Sequence, residues 1–158
     1  LLKKIENDPE FDERRAARKL RQYVEGHQTA IRRKAEIMVD HFHTHVRHKL
    51  GQQARAMVVC NGIGRAVEYF HAIRTYLAER GSPYQALVAF SGEFAYGGKA
   101  VTEDTLNGFA SAEIEKRFRQ GEYRFLVVAD KFQTGYDEPL LHTMYVDKPL
   151  AGIKAVQT

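Results

Sequence analysis

Three short runs constrain this chain more than anything else in it: "AMVVC" at 56–60, "ALVAF" at 86–90 and "FLVVA" at 125–129. Each is apolar without alternation. A strand with one wet face alternates polar and apolar residues, so an unalternating run predicts a strand buried on both faces. Sheets of that kind are parallel and carry helices on both sides. The segments between the runs agree. Val67, Phe70, Ile73 and Leu77 recur at helical spacing before a stop at Gly81, and "SAEIEKRFRQG" is expected to open with Ser111 as N-cap and close at Gly121. "LHTMYVD" at 141–147 reads as a fourth strand. The expected fold class is therefore α/β, a parallel sheet flanked by helices.

An N-terminal helical segment precedes that sheet. Ile31, Ala35, Met38, Phe42 and Val46 draw one apolar stripe at three- and four-residue spacing. Gly26 is expected to separate this helix from an earlier one carrying Leu20 and Val24, and Gly51 to end it. The organisation expected is a helical hairpin or long helix over 1–52, then an α/β domain over 53–158. With 158 residues, 44% apolar and 28% charged, the chain is large enough to bury a core. The apolar runs are far shorter than a membrane span, and "LLKKIENDPEFDERR" does not resemble a signal peptide. Because residue 1 is Leu rather than Met, a longer parent polypeptide is expected.

Net charge is +4, and the basic excess lies early: residues 1–55 hold 13 Lys/Arg against 8 Asp/Glu. That fits either a polyanion-facing flank or a solvated helix surface. The same two readings apply to Arg14, Arg15, Arg18, Lys19 and Arg21. The single Cys60 excludes an internal disulfide, suits a reducing compartment and, within "AMVVC", reads as a buried, inert thiol. The 17 Tyr and Phe residues fall mostly in apolar runs, which predicts core packing. His41, His45 and His48 share one helical face, but without a glutamate partner or nearby cysteines a solvated face is expected and no metal site. From Phe94 to Gly108 a long glycine-containing loop is expected. Its Gly97-Gly98-Lys99 lacks the spacing and the Ser/Thr of a phosphate-binding P-loop.

Ligands of open α/β sheets bind beyond the carboxyl ends of the strands. "FLVVAD" delivers "KFQTGYDEP" to such an end. There Gly135 permits close backbone approach, Thr134 offers a hydroxyl and an N–H, and Asp137 can accept from a sugar hydroxyl or pair with a cation. Taken alone, Thr-Gly-x-Asp before Pro139 is equally a turn with an Asp-capped backbone.

The run "VVADKFQTGYDEPLLHTMYVDKPLAGIKAVQT" resembles the second RecA-like domain of superfamily 2 ATPases, and more narrowly the motor subunit of type I restriction enzymes. There motif V resembles "KFQTGYDEP", a "MYVDK" strand follows, and motif VI is led by Gln. The resemblance covers about Arg55 to Thr158 and implies a RecA-like fold. It implies that Thr134 and Gly135 touch the sugar-phosphate backbone of the tracked strand, and that Asp137, with Gly135 and Gln157, lines the interdomain ATP cleft. "AMVVCNGIGRAVEYF" matches the motif IV strand and helix and "FSG" the next strand end, so Asn61, Gly62, Ser91 and Gly92 are implied backbone contacts. The family more often has a hydroxyl followed by Arg where this chain has Asn61, Gly62 and Ile63.

No Walker A loop or DExx motif occurs in the chain, and the resemblance implies that ATP and Mg2+ are held mainly by the first RecA-like domain. The arginines of motif VI would follow Thr158. No catalytic residue is therefore expected within these residues, and the chain alone is expected to be silent. The implied whole is an ATP-driven double-stranded DNA translocase and type I site-specific deoxyribonuclease, cytoplasmic in a bacterium or archaeon. Its implied partners are methylation and specificity subunits, and the first RecA-like and nuclease domains of the same polypeptide, with no membrane. Another superfamily 2 helicase or translocase, or a non-catalytic DNA-binding module, are the alternatives.

Overall fold

The computed structural model describes residues 9–129, 131 and 137–147, with side chains from Glu13 onward. Helix α1, Pro9–His41, is the first described element and runs on through a single π turn, Phe42–Val46. Strand β1, Arg55–Cys60, leads into helix α2, Ile63–Glu79, and strand β2, Gln85–Ala89. A hairpin of β3, Phe94–Tyr96, and β4, Lys99–Val101, comes next, followed by the short helices α3, Glu103–Asn107, and α4, Ile114–Phe118. Strands β5, Tyr123–Val128, and β6, Leu141–Asp147, complete the described chain.

The four long strands form one sheet in the order β2-β5-β1-β6, and every pairing is parallel. The unalternating runs are explained by what covers each face. On one face Ala56, Val58, Val88, Phe125 and Val127 pack under α1 and α2. On the other, Met57, Val59, Leu87, Leu126 and Val128 pack against Ile114 and Phe118 of α4. Residues of β1 are buried along its whole length, whereas the edge strand β6 is mostly half-buried. Cys60 is fully buried, as its setting predicts.

The stripe on α1 is the face that meets the sheet: Ile31, Ala35, Met38, Phe42 and Val46 are all buried. Polar ties fasten the same helix to α2, His27 to Glu68 at 2.9 Å and the Tyr76 hydroxyl to Asp40 at 2.7 Å. Gly26 does not divide this helix. One glycine costs about 1 kcal/mol relative to alanine in a helix, and good helix formers on both sides carry α1 through it. Leu20 and Val24 thus lie on the same helix as Ile31, with 64% and 44% of their surfaces exposed. The expected stop at Gly51 holds: Leu50, Gly51 and Gln52 all take positive φ, and the chain turns into β1.

Residues 94–108 are not an open loop. Gly97 and Gly98, at φ of 58° and 77°, make the two-residue turn that suits a hairpin, since both positions need φ above zero. Thr102 then caps α3, its hydroxyl accepting from the Thr105 N–H at 3.2 Å while the Thr105 hydroxyl accepts from the Thr102 N–H at 2.9 Å. Ser111 does not cap a helix either. It begins a 3-10 turn, Ser111–Glu113, and its hydroxyl donates to Asp104. From α3 Asn107 reaches the outer side of β2, where its amide accepts from Val88 N–H at 2.9 Å and donates to Val88 carbonyl at 2.7 Å. That amide stands where a neighbouring strand would bond, and blunts the edge.

Candidate nucleic-acid interface

Because the strands are parallel, their carboxyl ends gather along one edge. β1 gives way to exposed Asn61, and Gly62 then takes a φ of 93° at the N-cap of α2, a conformation that suits glycine. β2 gives way to buried Phe90 and then to exposed Ser91 and Gly92. The structure thus brings Asn61, Gly62, Ser91 and Gly92 to the same edge. Asp137 is exposed, and the next residue, Glu138, is buried near the opposite, amino-terminal edge. There Glu138 accepts from Arg119 Nε at 2.5 Å, and the Arg55 N–H donates to the Leu140 carbonyl at 2.8 Å. Thr134, Gly135 and Gln157 lie outside the described residues.

Two clusters at the carboxyl edge escape a reading of local sequence. The first is Glu103, 6% exposed, whose carboxylate accepts from Phe90 N–H and from Lys131 Nζ, each at 2.7 Å. It forms part of the wall of a cavity of about 410 Å³, with Ser91, Gly92, Thr102, Ser111 and Lys131. The partners stand 28 residues apart in sequence. A threonine pair at the α3 cap is the only local signal nearby.

The second cluster surrounds Asp147, the last residue of β6. Its carboxylate accepts from the Tyr69 hydroxyl, from Lys34 Nζ at 3.3 Å and from Arg65 Nη1 at 3.4 Å. Burial pushes this carboxyl up, but the Tyr69 hydroxyl, Lys34 and Arg65 outweigh it and hold it below the usual carboxylate range. The Tyr69 phenol is raised in turn, by burial and by Asp147. Nearby, burial pushes Tyr145 up to about 12. Asp147 thereby joins α1, α2 and the edge strand.

The histidine run is divided among several partners. His41 Nδ1 is hydrogen-bonded to the Tyr145 hydroxyl at 2.7 Å, and its ring lies 5.1 Å from that of exposed His45. His43, in the π turn, is 7% exposed and bonded to Ser82 Oγ at 2.9 Å. Among the described residues no group of three or more His, Cys, Asp or Glu side chains could hold a metal ion. None of the described helices is long and apolar enough to cross a membrane.

His43 has a consequence for stability. Burial, then Arg80 and Arg47, lower its pKa, with Asp40 opposing; burial and Arg74 lower that of His71. The unfolded chain therefore binds protons that the folded chain resists. Stability is lost as pH falls through about 6.5, the ordinary histidine value, toward the lower folded values. The urea midpoint is expected to fall between pH 7 and pH 5, and the His43→Gln/His71→Gln double variant to flatten that fall. An unchanged slope in the double variant would remove these residues as the cause.

A parallel α/β sheet, covered on both faces and carrying polar tips along its carboxyl edge, defines an α/β protein of the ligand-edge type. Residues 94–158 match the family model of type I restriction enzyme subunit R domain 3. Over those residues the chain is similar to that domain. No curated protein matches the chain. The match begins at β3, yet β1 and β2 share one sheet with β5 and β6, so the folded unit is larger than the matched segment.

Proposed function

We propose that this chain is the second RecA-like part of an ATP-dependent double-stranded DNA translocase within a type I restriction endonuclease. The family match over residues 94–158, which includes "KFQTGYDEP", carries the reading. The gathering of Asn61, Gly62, Ser91 and Gly92 on one edge supports it. Contacts from such tips to phosphate and sugar position a protein without reading sequence, which is what stepping along any DNA requires. On this reading Thr134 and Gly135 join the same backbone contacts. ATP and Mg2+ are held mainly by the first RecA-like domain, and this chain supplies one wall of the cleft. Asp137, exposed and able to accept from a ribose hydroxyl, fits that wall. The methylation and specificity subunits complete the assembly.

The test uses the full R subunit assembled with those subunits. Asp137→Ala is expected to lower DNA-stimulated ATP hydrolysis and translocation together, by about tenfold or more if it loses an interaction made in the transition state. The 158-residue chain alone is expected to show no such ATPase. Unchanged hydrolysis and translocation in the variant would remove Asp137 from the coupling role. Activity in the isolated chain would place a nucleotide site within it.

A further inference from the structure

Strand β2 bonds β5 at alternate residues: the Gln85 N–H donates to the Glu122 carbonyl at 2.7 Å, and the Ala89 carbonyl accepts from the Ala129 N–H at 3.2 Å. The intervening residues of the other parity, Ala86 and Val88, therefore turn their backbone groups to the outer side. Asn107 meets Val88 there, its side-chain amide standing in for the peptide group of a neighbouring strand. Ala86 has no such cover. It is 6% exposed, and among the described residues nothing bonds its outward N–H or carbonyl, although buried backbone groups need partners. Beside it lies a cavity of about 340 Å³, walled by Phe70 and Leu77 of α2, Ala86 and Leu87 of β2, and Leu106 and Asn107 of α3. Phe70 belongs to one face of the sheet and Leu87 to the other, so the cavity sits off the edge of β2, where the Ala86 groups point. Arg74 stands in the same wall, exposed, its guanidinium 5.0 Å from the centre of the Phe70 ring. No carboxylate among the described residues pairs with it.

We propose that this cavity docks a short extended segment of another protein, which bonds the β2 edge at Ala86, buries a bulky apolar side chain between α2 and α3, and sets a carboxylate against Arg74. Each part of the wall selects one of those features. An outward N–H and carbonyl on one residue match the amide pair of an added strand. The apolar wall suits a large hydrocarbon side chain, and an unpaired guanidinium suits an acid. Asn107 closes the edge at Val88, which keeps the added segment short. A second copy of this chain is a poor occupant, because its described strands are all held in its own two sheets. The site lies toward the amino end of β2, away from the Ser91-Gly92 tip, and requires neither DNA nor ATP.

The experiment titrates the 158-residue chain with capped peptides Thr-X-Thr-Glu-Thr, in which X is Phe, Leu, Ile or Met, and follows backbone amide signals by NMR. An extended backbone puts X and Glu on one side. Saturable shifts are expected at Ala86, Leu87 and the Asn107 side chain, and Ala at X should weaken binding about tenfold or more. Replacing the peptide Glu by Gln should weaken it about two- to fivefold, and Arg74→Gln should erase that difference. Ala86→Pro removes the outward N–H without touching the bonds to β5, a change that edge strands accept. It should weaken binding about fivefold or more. If Ala86→Pro fails to fold, peptides N-methylated at one backbone nitrogen at a time test the same bonding, and a single sensitive position is expected. The docking site is overturned if no peptide shifts Ala86, or if toluene competes fully and Glu confers no advantage, which would make the cavity a plain apolar hole. Concentration-dependent shifts at Ala86 without peptide would overturn it too, by giving the site to a second copy of the chain.

Discussion

Phe42→Ala is expected to lower the stability of the folded chain by about 3–5 kcal/mol, the range for deleting a fully buried aromatic ring. Phe42 is the first residue of the π turn and has no exposed surface. Its ring lies 4.6 Å from that of Phe125 on β5 and 5.6 Å from that of Tyr84, so it fastens the helical segment to the middle of the sheet. The cavity would open between a helix and a central strand, and neither can collapse freely. For a chain of this size the loss corresponds to a fall of about 10 °C in the melting midpoint. Urea unfolding with an unchanged m-value is the cleaner readout, because it reports stability without a change in compactness. A loss below about 1.5 kcal/mol would show that α1 shifts to fill the space.

Arg55→Ala is expected to cost a similar amount, about 3–5 kcal/mol, for a different reason. Arg55 is 2% exposed, and its guanidinium donates to the Phe118 carbonyl at 2.7 Å and to the Gln53 carbonyl. Arg124 works beside it, donating to the Gln52 carbonyl at 2.9 Å and the Ala54 carbonyl at 3.3 Å. Burial and the neighbouring Arg124 both lower the pKa of Arg55, with Glu138 and Glu122 opposing. The alanine variant relieves that repulsion, yet it strands the Phe118 carbonyl and leaves a void the length of the side chain. The stranded carbonyl and the void together outweigh the relief, since an unsatisfied buried group costs about 1–3 kcal/mol. Arg55→Met should recover part of the loss by filling the void. Full recovery in Arg55→Met would mean that the Phe118 carbonyl finds water, and the hydrogen-bond account would be wrong.

The strands are legible because burial on both faces leaves a signature in consecutive residues, and the stripe on α1 because helical spacing does the same. The parallel sheet then implies that Asn61, Gly62, Ser91 and Gly92 share an edge, even though Asn61 and Ser91 are 30 residues apart. Other features were hidden for identifiable reasons. Gly26 looks like a boundary, but its small local cost is overruled by the helix on either side. Strands of three residues, as in β3 and β4, are too short to show a period of two, so Gly97-Gly98 reads as loop rather than turn. Ser111 has the chemistry of a cap, and its hydroxyl is drawn to Asp104 instead. The pairing of Glu103 with Lys131, and of Asp147 with Lys34, Arg65 and Tyr69, depends on chain crossings that no local pattern encodes.

The length of α1 sets a mechanical ratio. Its last 15 residues, from His27 to His41, are fastened to the body of the domain, whereas every side chain from Glu13 to Gly26 is exposed. Those 14 residues form a rod of about 21 Å at 1.5 Å per residue. A tilt of about 10° where the helix beds on α2 would sweep the far end of that rod through about 4 Å, given the helical rise. Shifts too small to disturb the core would thus arrive at the tip of the rod enlarged to the width of a side chain.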